Sequence, residues 1–256
     1  VDCIDSSTCW VSGTNGLVLK SVNGGTSWTQ QASTGISGSI LAIDFVDGNT
    51  GWVGSTGGRM RKTVNGGATW NVQATTSSLD ILDIKAINEN VAYFLTATSV
   101  GKTANGGAEW GSTTDPDGLI GNGIHVAMDF YDANNGIVVG RDAFIRVTTN
   151  GGTSWIAPKS VPAADPKPVY QAVKLVEASR AALVTVPGPT QELSVITSLD
   201  VNNPEGGTWT TRASDAFGLG TLGKAISCSN GSECAGAGEG GVMAYWAATN
   251  PDSKVL

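Results

Sequence analysis

Short runs in which apolar and polar residues alternate recur along this chain, each closed by a cluster of Gly, Asn, Asp or Ser. A period of two places every second side chain on one face, the pattern of a half-buried β-strand rather than of a helix. One stretch shows the arrangement. It predicts strand A over Ile40–Phe45, strand B over Gly51–Gly54, strand C over Arg59–Val64 and strand D over Thr69–Ala74, with turn residues between them. The stretch then returns: "ILAIDFVDGNTGWVGSTGGRMRKT" (Ile40 to Thr63) is paralleled by "HVAMDFYDANNGIVVGRDAFIRVT" (His125 to Thr148) and, more loosely, by "VDCIDSSTCWVSGTNGLVLKS" (Val1 to Ser21).

The turn from strand C to strand D is the most regular part of the repeat. It reads "SVNGGTSW" at Ser21 to Trp28, "TVNGGATW" at Thr63 to Trp70, "TANGGAEW" at Thr103 to Trp110 and "TTNGGTSW" at Thr148 to Trp155. A degenerate copy carries Asp200 and ends at Trp209. Successive Trp residues stand 42, 40, 45 and 54 positions apart, the size of one β-propeller blade. Six such units fill the chain, approximately 1–34, 38–76, 80–114, 124–159, 168–213 and 222–256. The expected fold is therefore all-β, a single β-propeller of six four-stranded blades, or of seven if the chain is truncated.

Each part of the turn has a structural duty. The hydroxyl residue (Ser21, Thr63, Thr103, Thr148) ends strand C, and the Asn (Asn23, Asn65, Asn105, Asn150) accepts backbone N–H groups as a substitute turn. The glycines, Gly25, Gly67, Gly107 and Gly152 among them, supply positive φ, and the Trp opens strand D and packs its ring under the turn. On this reading the motif is scaffold in every blade, and Trp28→Ala is expected to cost as much as a large-to-small change in a core.

The pattern Ser/Thr-x-Asn-Gly-Gly-x-x-Trp resembles the Asp-box of the bacterial neuraminidase repeat, with Asn in the third position and Asp only at Asp200. The longer form "GWVGSTGGRMRKTVNGGATW" is most similar to the propellers of photosystem II stability and assembly factor-like proteins. That resemblance implies a binding or assembly module. The other enzymes with such boxes are a poorer match. A sialidase needs an arginine triad, a Tyr/Glu pair and an acidic general acid. The six arginines (Arg59, Arg61, Arg141, Arg146, Arg180, Arg212) and four tyrosines (Tyr93, Tyr131, Tyr170, Tyr245) stand in no such context. Box-containing endoglucanases are built from two larger propellers, more chain than is here.

Composition narrows the partners. The net charge of -7 opposes binding to nucleic-acid phosphates or anionic lipid, and no run of 18 apolar residues could span a membrane as a helix. The chain begins at Val1 rather than Met, so a processed or trimmed start is expected. Four cysteines form two pairs with the same spacing, Cys3 with Cys9 and Cys228 with Cys234. Five intervening residues suit a disulfide across a short hairpin and not a zinc knuckle, and only one His, His125, stands in the whole chain. Disulfides place the protein in an oxidising compartment: secreted, periplasmic or cell-surface. Asn230 to Ser232 forms a glycosylation sequon inside the second Cys loop. No cofactor or metal is expected. "DPDG" at Asp115 to Gly118 lacks the later acidic ligands of a calcium loop, and "GEGG" at Gly238 to Gly241 lacks the Lys-Ser/Thr of a phosphate loop.

A four-stranded meander puts A–B and C–D turns on one face, and B–C turns with D–A connections on the other. The second face has the long, uneven loops, where function usually resides on a rigid scaffold. The candidate binding residues there are Asp115, Asp117, Arg141, Asp142, Lys167, Gln191, Phe217 and Glu239. The function expected is a non-catalytic extracytoplasmic propeller that binds a protein or joins a larger surface assembly. The alternative is a carbohydrate-binding or glycoside-hydrolase-like propeller.

Overall fold

A computed structural model describes residues 1–75, 77–113, 125–157, 169–177, 180–186, 194–197, 210–213, 223–230, 233–238, 243–247 and 250–255. Strands dominate. Blade one holds β1 (Asp2–Cys3), β2 (Cys9–Ser12), β3 (Val18–Ser21) and β4 (Thr29–Gln30). Blade two holds β5 (Ile40–Phe45), β6 (Gly51–Ser55), β7 (Met60–Thr63) and β8 (Asn71–Gln73). Blade three holds β9 (Asp83–Ala86), β10 (Ala92–Leu95), β11 (Val100–Thr103) and β12 (Gly111–Thr113). Blade four holds β13 (His125–Phe130), β14 (Gly136–Gly140) and β15 (Ile145–Thr148). Blade five holds β16 (Val169–Glu177), β17 (Arg180–Val186), β18 (Ser194–Thr197) and β19 (Thr210–Ala213), and blade six β20 (Gly223–Asn230), β21 (Glu233–Gly238), β22 (Met243–Ala247) and β23 (Asn250–Val255).

Every sheet is an antiparallel meander in sequence order, as the repeat requires. Among the described residues blade four has three strands, and beyond β15 one bridge pairs Val147 with Ile156. In the first three blades the residue three places after the motif Trp continues the ladder, as where Gln31 N–H donates to Val18 C=O at 2.9 Å or Gln73 pairs with Met60.

The chain divides into two compact units, Val1–Thr114 with Gly121–Gly123, and Asp115–Ile120 with Ile124–Leu256. In the first unit the A strands are successive neighbours, β1 beside β5 and β5 beside β9; in the second β13 lies beside β16 and β16 beside β20. All of β6, β10, β14 and β15 is buried, β2 is buried over Cys9 and Trp10, and β4 is exposed. Trp10, Trp52 and Tyr93 on second strands are fully enclosed.

One register position shows how the repeat keeps its volume while changing its residues. A residue at or next to the end of strand A faces one at or next to the start of strand B as Phe45–Gly51, Phe130–Gly136, Ala86–Ala92 and Leu175–Ala181. A Cβ on Gly51 would overlap the Phe45 ring, and one on Gly136 the Phe130 ring, so the glycine is the room for the aromatic. In blade three the ring moves to Phe94, and the compensating glycine moves to Gly101, its partner on β11. In blades one and six the same position is Cys3–Cys9 and Cys228–Cys234. Cys3 and Cys9 are joined by a disulfide, and Cys228 has no free thiol.

Candidate functional site

The repeated turn consumes its own polar groups. In blade two Thr63 Oγ1 donates to Asn65 Oδ1 at 3.0 Å and accepts from Gly67 N–H at 2.9 Å. Asn65 Oδ1 also accepts from Thr69 N–H at 2.8 Å, while its Nδ2 donates to Thr69 Oγ1 at 2.9 Å. The same bonds recur around Asn23 and Asn150, and around Asn105 Glu109 N–H takes the place of Thr69 N–H at 3.0 Å. Both glycines of each turn lie at positive φ, +70° and +102° at Gly66 and Gly67. An Asn serves as well as an Asp because what the turn needs is one oxygen with two lone pairs. The degenerate copy at Asp200 and Trp209 lies outside the described residues.

The closing Trp residues are not equivalent. Trp155 is 3% and Trp110 5% exposed, but Trp28 is 38% exposed, which corrects the expectation that Trp28 is a core residue. Its ring does lie against the turn, 3.6 Å from where a Cβ on Gly25 would stand. The difference comes from the ring beside each Trp, which in blade three is Phe94 on β10, 5.3 Å from Trp110. Phe45 meets Trp70 edge-on at 6.3 Å and Phe130 meets Trp155 at 6.1 Å, whereas blade one has Cys3 at that position and no ring.

A second repeated turn escaped the sequence reading. Between strands A and B, Asp5 Oδ1 accepts from the N–H groups of Ser7 and Thr8, Asp47 from Asn49 and Thr50, Asn88 from Asn90 and Val91, and Asp132 from Asn134 and Asn135. These are Asx turns. They hold the Asp5 carboxyl down at about 2, through the hydroxyl and N–H of Ser7, and leave Asp132 below its ordinary value despite partial burial. Each docks on the C–D turn of its own blade: Gly24 N–H donates to Ser7 C=O, Gly66 to Asn49, Gly106 to Asn90 and Gly151 to Asn134, at 2.8–2.9 Å. A–B and C–D turns therefore share a face, as the meander requires.

Lysines tie that face from blade to blade. Lys20 Nζ lies 4.6 Å over the Trp10 ring and donates to Gly48 C=O of the next blade at 3.3 Å. Lys62 lies 4.5 Å over Trp52 and donates to Glu89 C=O and Gly106 C=O, both at 2.9 Å. Burial lowers the Lys62 ammonium below its ordinary value, with the Glu89 carboxylate opposing. Between these ties opens a groove of about 400 Å³, lined by Asp47, Asn49, Thr50, Lys62, Val64, Glu89 and Asn90.

Strand A contributes a different set of ties. Asp2 Oδ2 accepts from Phe45 N–H at 2.7 Å, Asp44 from Ala86 N–H at 2.6 Å and Asp129 from Leu175 N–H at 2.7 Å, each reaching the A strand of the following blade. Asp129 also pairs with Lys174 at 3.3 Å. Around Asp44 stand Lys85 and Asp83 on β9 and Asp2 on β1; burial outweighs the attraction of Lys85 and pushes the Asp44 carboxyl up to about 7. A carboxyl that keeps its proton to about 7 when folded and releases it near 3.8 when unfolded gives a native state that binds more protons between those values. The stability contributed is present below the unfolded value and lost as pH rises to 7. Urea unfolding should show wild type losing on the order of 2 kcal/mol more than Asp44→Asn between pH 4 and pH 7. Asn keeps an acceptor for Ala86 N–H and removes only the titration.

Of the predicted loop-face residues, Asp115, Asp117, Lys167, Gln191, Phe217 and Glu239 lie outside the described residues. Arg141 and Asp142 are both exposed, at the tight turn between β14 and β15 that Phe144 N–H closes onto Arg141 C=O at 3.0 Å. Asp142 and Ala143 there adopt φ of +56° and +58°, where blades one and two have Asn15–Gly16 and Gly57–Gly58. A non-glycine pair in this region stores about 1 kcal/mol or more of strain per residue. His125 is buried beside Phe144, with ring centroids 5.2 Å apart, a packing residue as expected of a lone His.

No protein-family profile matches the chain, and no curated protein does. Solved structures do. "YCF48 bound to D1 peptide" is similar with a TM-score of 0.74 at 17% identity, over 99% of this chain and 79% of that one. YCF48 from Cyanidioschyzon merolae gives 0.72 at 19% identity, over 97% and 80%. The GH74 enzyme of Niastella koreensis gives 0.72 at 15% identity, over 100% of this chain and 45% of that one. At these identities the likeness establishes the fold, a β-propeller, and its neighbours include both a peptide-bound protein and GH74 enzymes.

Proposed function

We propose that this chain is a non-catalytic, protein-binding β-propeller, an assembly or structural module that works in an oxidising compartment outside the cytoplasm. The observation that carries the reading is how the recurring polar groups are spent. The hydroxyl and Asn of each described Asp-box-like turn, the Asx oxygens beside it and the strand-A aspartates are all engaged in holding turns and joining blades. Repetition here builds a rigid frame, and a frame of this kind presents surface to a partner. The likeness to YCF48, whose structure holds a D1 peptide, supports a polypeptide as that partner. The Cys3–Cys9 disulfide supports the compartment.

The loop face with Arg141 and Asp142 is one surface such a partner could use. The likeness to GH74 enzymes favours a second reading, a carbohydrate-binding propeller. Crosslinking of the intact protein in its native source, followed by mass spectrometry, separates the two. The protein-binding reading expects a discrete polypeptide partner and an empty glycan array; specific glycan binding with no polypeptide partner would replace it with the second.

A further inference from the structure

We propose that the groove between blades two and three is a docking site for a basic segment of a partner protein, seating one Lys or Arg between Asp47 and Glu89 and an adjoining apolar residue on Val64. The inference deepens the protein-binding reading and depends on it: it assigns a site and a chemistry to the partner. The groove, about 400 Å³, has room for one long side chain and its neighbour. Its two carboxylates face one cation, and that cation is already committed. The Lys62 ammonium is held by Glu89 C=O and Gly106 C=O and lies against Trp52, so it is part of the wall.

Asp47 spends Oδ1 on Asn49 N–H and Thr50 N–H, each at 2.7 Å, which leaves Oδ2 for a ligand. Glu89 is exposed; its backbone C=O accepts from Lys62, and its carboxylate acts on that ammonium only through space. The amides of Asn49 and Asn90 line the same space and can accept further N–H groups of a guanidinium. The walls are fixed before any ligand arrives, since Gly66 N–H holds Asn49 C=O and Gly106 N–H holds Asn90 C=O, both at 2.8 Å. At the rim Val64 is 57% exposed, an apolar platform next to the acidic pair. The net charge of -7 adds long-range attraction for a basic partner.

The test uses the whole chain and a fluorescein-labelled Gly-Arg-Leu-Gly-Arg-Leu-Gly peptide, with Glu-for-Arg and Gly-for-Leu versions, followed by anisotropy at fixed salt. The Arg–Leu peptide should bind wild type, and the Glu–Leu peptide should not. The double change Asp47→Asn with Glu89→Gln should weaken binding about tenfold, and Val64→Thr about threefold, with unfolding midpoints kept because Asn preserves the Asx acceptor. The Gly-for-Leu peptide should bind wild type and Val64→Thr alike. Asp5→Asn with Glu109→Gln removes the same charge elsewhere and should leave binding unchanged. Equal weakening by both double variants would reduce the effect to net charge and overturn the site, as would an unchanged affinity in Asp47→Asn/Glu89→Gln. If that variant still crosslinks to the native partner as wild type does, the groove is wrong and the protein-binding reading stands. If wild type crosslinks to no polypeptide, the reading itself fails.

Discussion

Trp155→Ala should destabilise its unit by about 3–5 kcal/mol, the range for large aromatic truncations in a core, whereas Trp28→Ala should cost about 1–2 kcal/mol. The two residues hold the same place in the repeat, so any difference must come from their surroundings. Trp155 is 3% exposed and meets Phe130 edge-on at 6.1 Å; Trp28 is 38% exposed and its strand-A neighbour is Cys3. Truncating Trp155 leaves an unfilled space under a turn already tied to the A–B turn of its blade by Gly151 N–H on Asn134 C=O. Truncating Trp28 removes a ring that water already reaches. Chemical denaturation of both variants gives the comparison, and equal costs would mean that burial is not what sets the contribution of these rings.

Gly51→Ala should cost about 2–3 kcal/mol, near the upper end for overpacking, although the change adds a single methyl. Its Cβ would enter the Phe45 ring, and that ring cannot retreat, because its other face stacks on Trp10 at 3.7 Å with 7° between planes. Blade five shows the remedy: Leu175 opposite Ala181. Phe45→Leu in the Gly51→Ala background should recover part of the loss, so the double-mutant cycle should show a favourable coupling. Additive costs would show that volume at this register position is not shared between the two residues.

Much of the frame could be read directly from the chain. β5 spans Ile40–Phe45 as the alternation predicts, because one buried face fixes the register of a strand. The turn glycines and the Cys3–Cys9 bond followed from local chemistry alone. What could not be read depends on partners distant in sequence. Asp44 looks like one polar residue in an apolar run, and its acceptor role is invisible because the donor is a backbone N–H at Ala86, where no side chain marks it. Asp5, Asp47, Asn88 and Asp132 do recur at one position, but the residues after them vary, so the Asx turns offer no fixed string. Trp28 was misjudged because motif copies look alike while the rings beside them differ. The groove draws on the A–B turns of two blades and the C–D turn of one, short segments all, whereas the sequence reading favoured the face with the long D–A connections, where topology also puts the B–C turn of Arg141 and Asp142.

The central claim is that the recurring hydroxyl, Asn, Gly and Trp of the turn are scaffold and that recognition uses other residues, Val64 at the turn's variable second position among them. Asn65 tests it most directly, since its oxygen serves Thr63 Oγ1 and Thr69 N–H and nothing outside the turn. Urea unfolding and Arg–Leu peptide affinity should be measured together on Asn65→Asp and Asn65→Leu. The account predicts that Asp, which keeps the acceptor, stays within about 0.5 kcal/mol of wild type, and that Leu, which strands a donor, loses about 1–3 kcal/mol. Both should bind the peptide as wild type does while folded. A Leu variant as stable as wild type that has lost the peptide would contradict the account and make the turn itself the binding site.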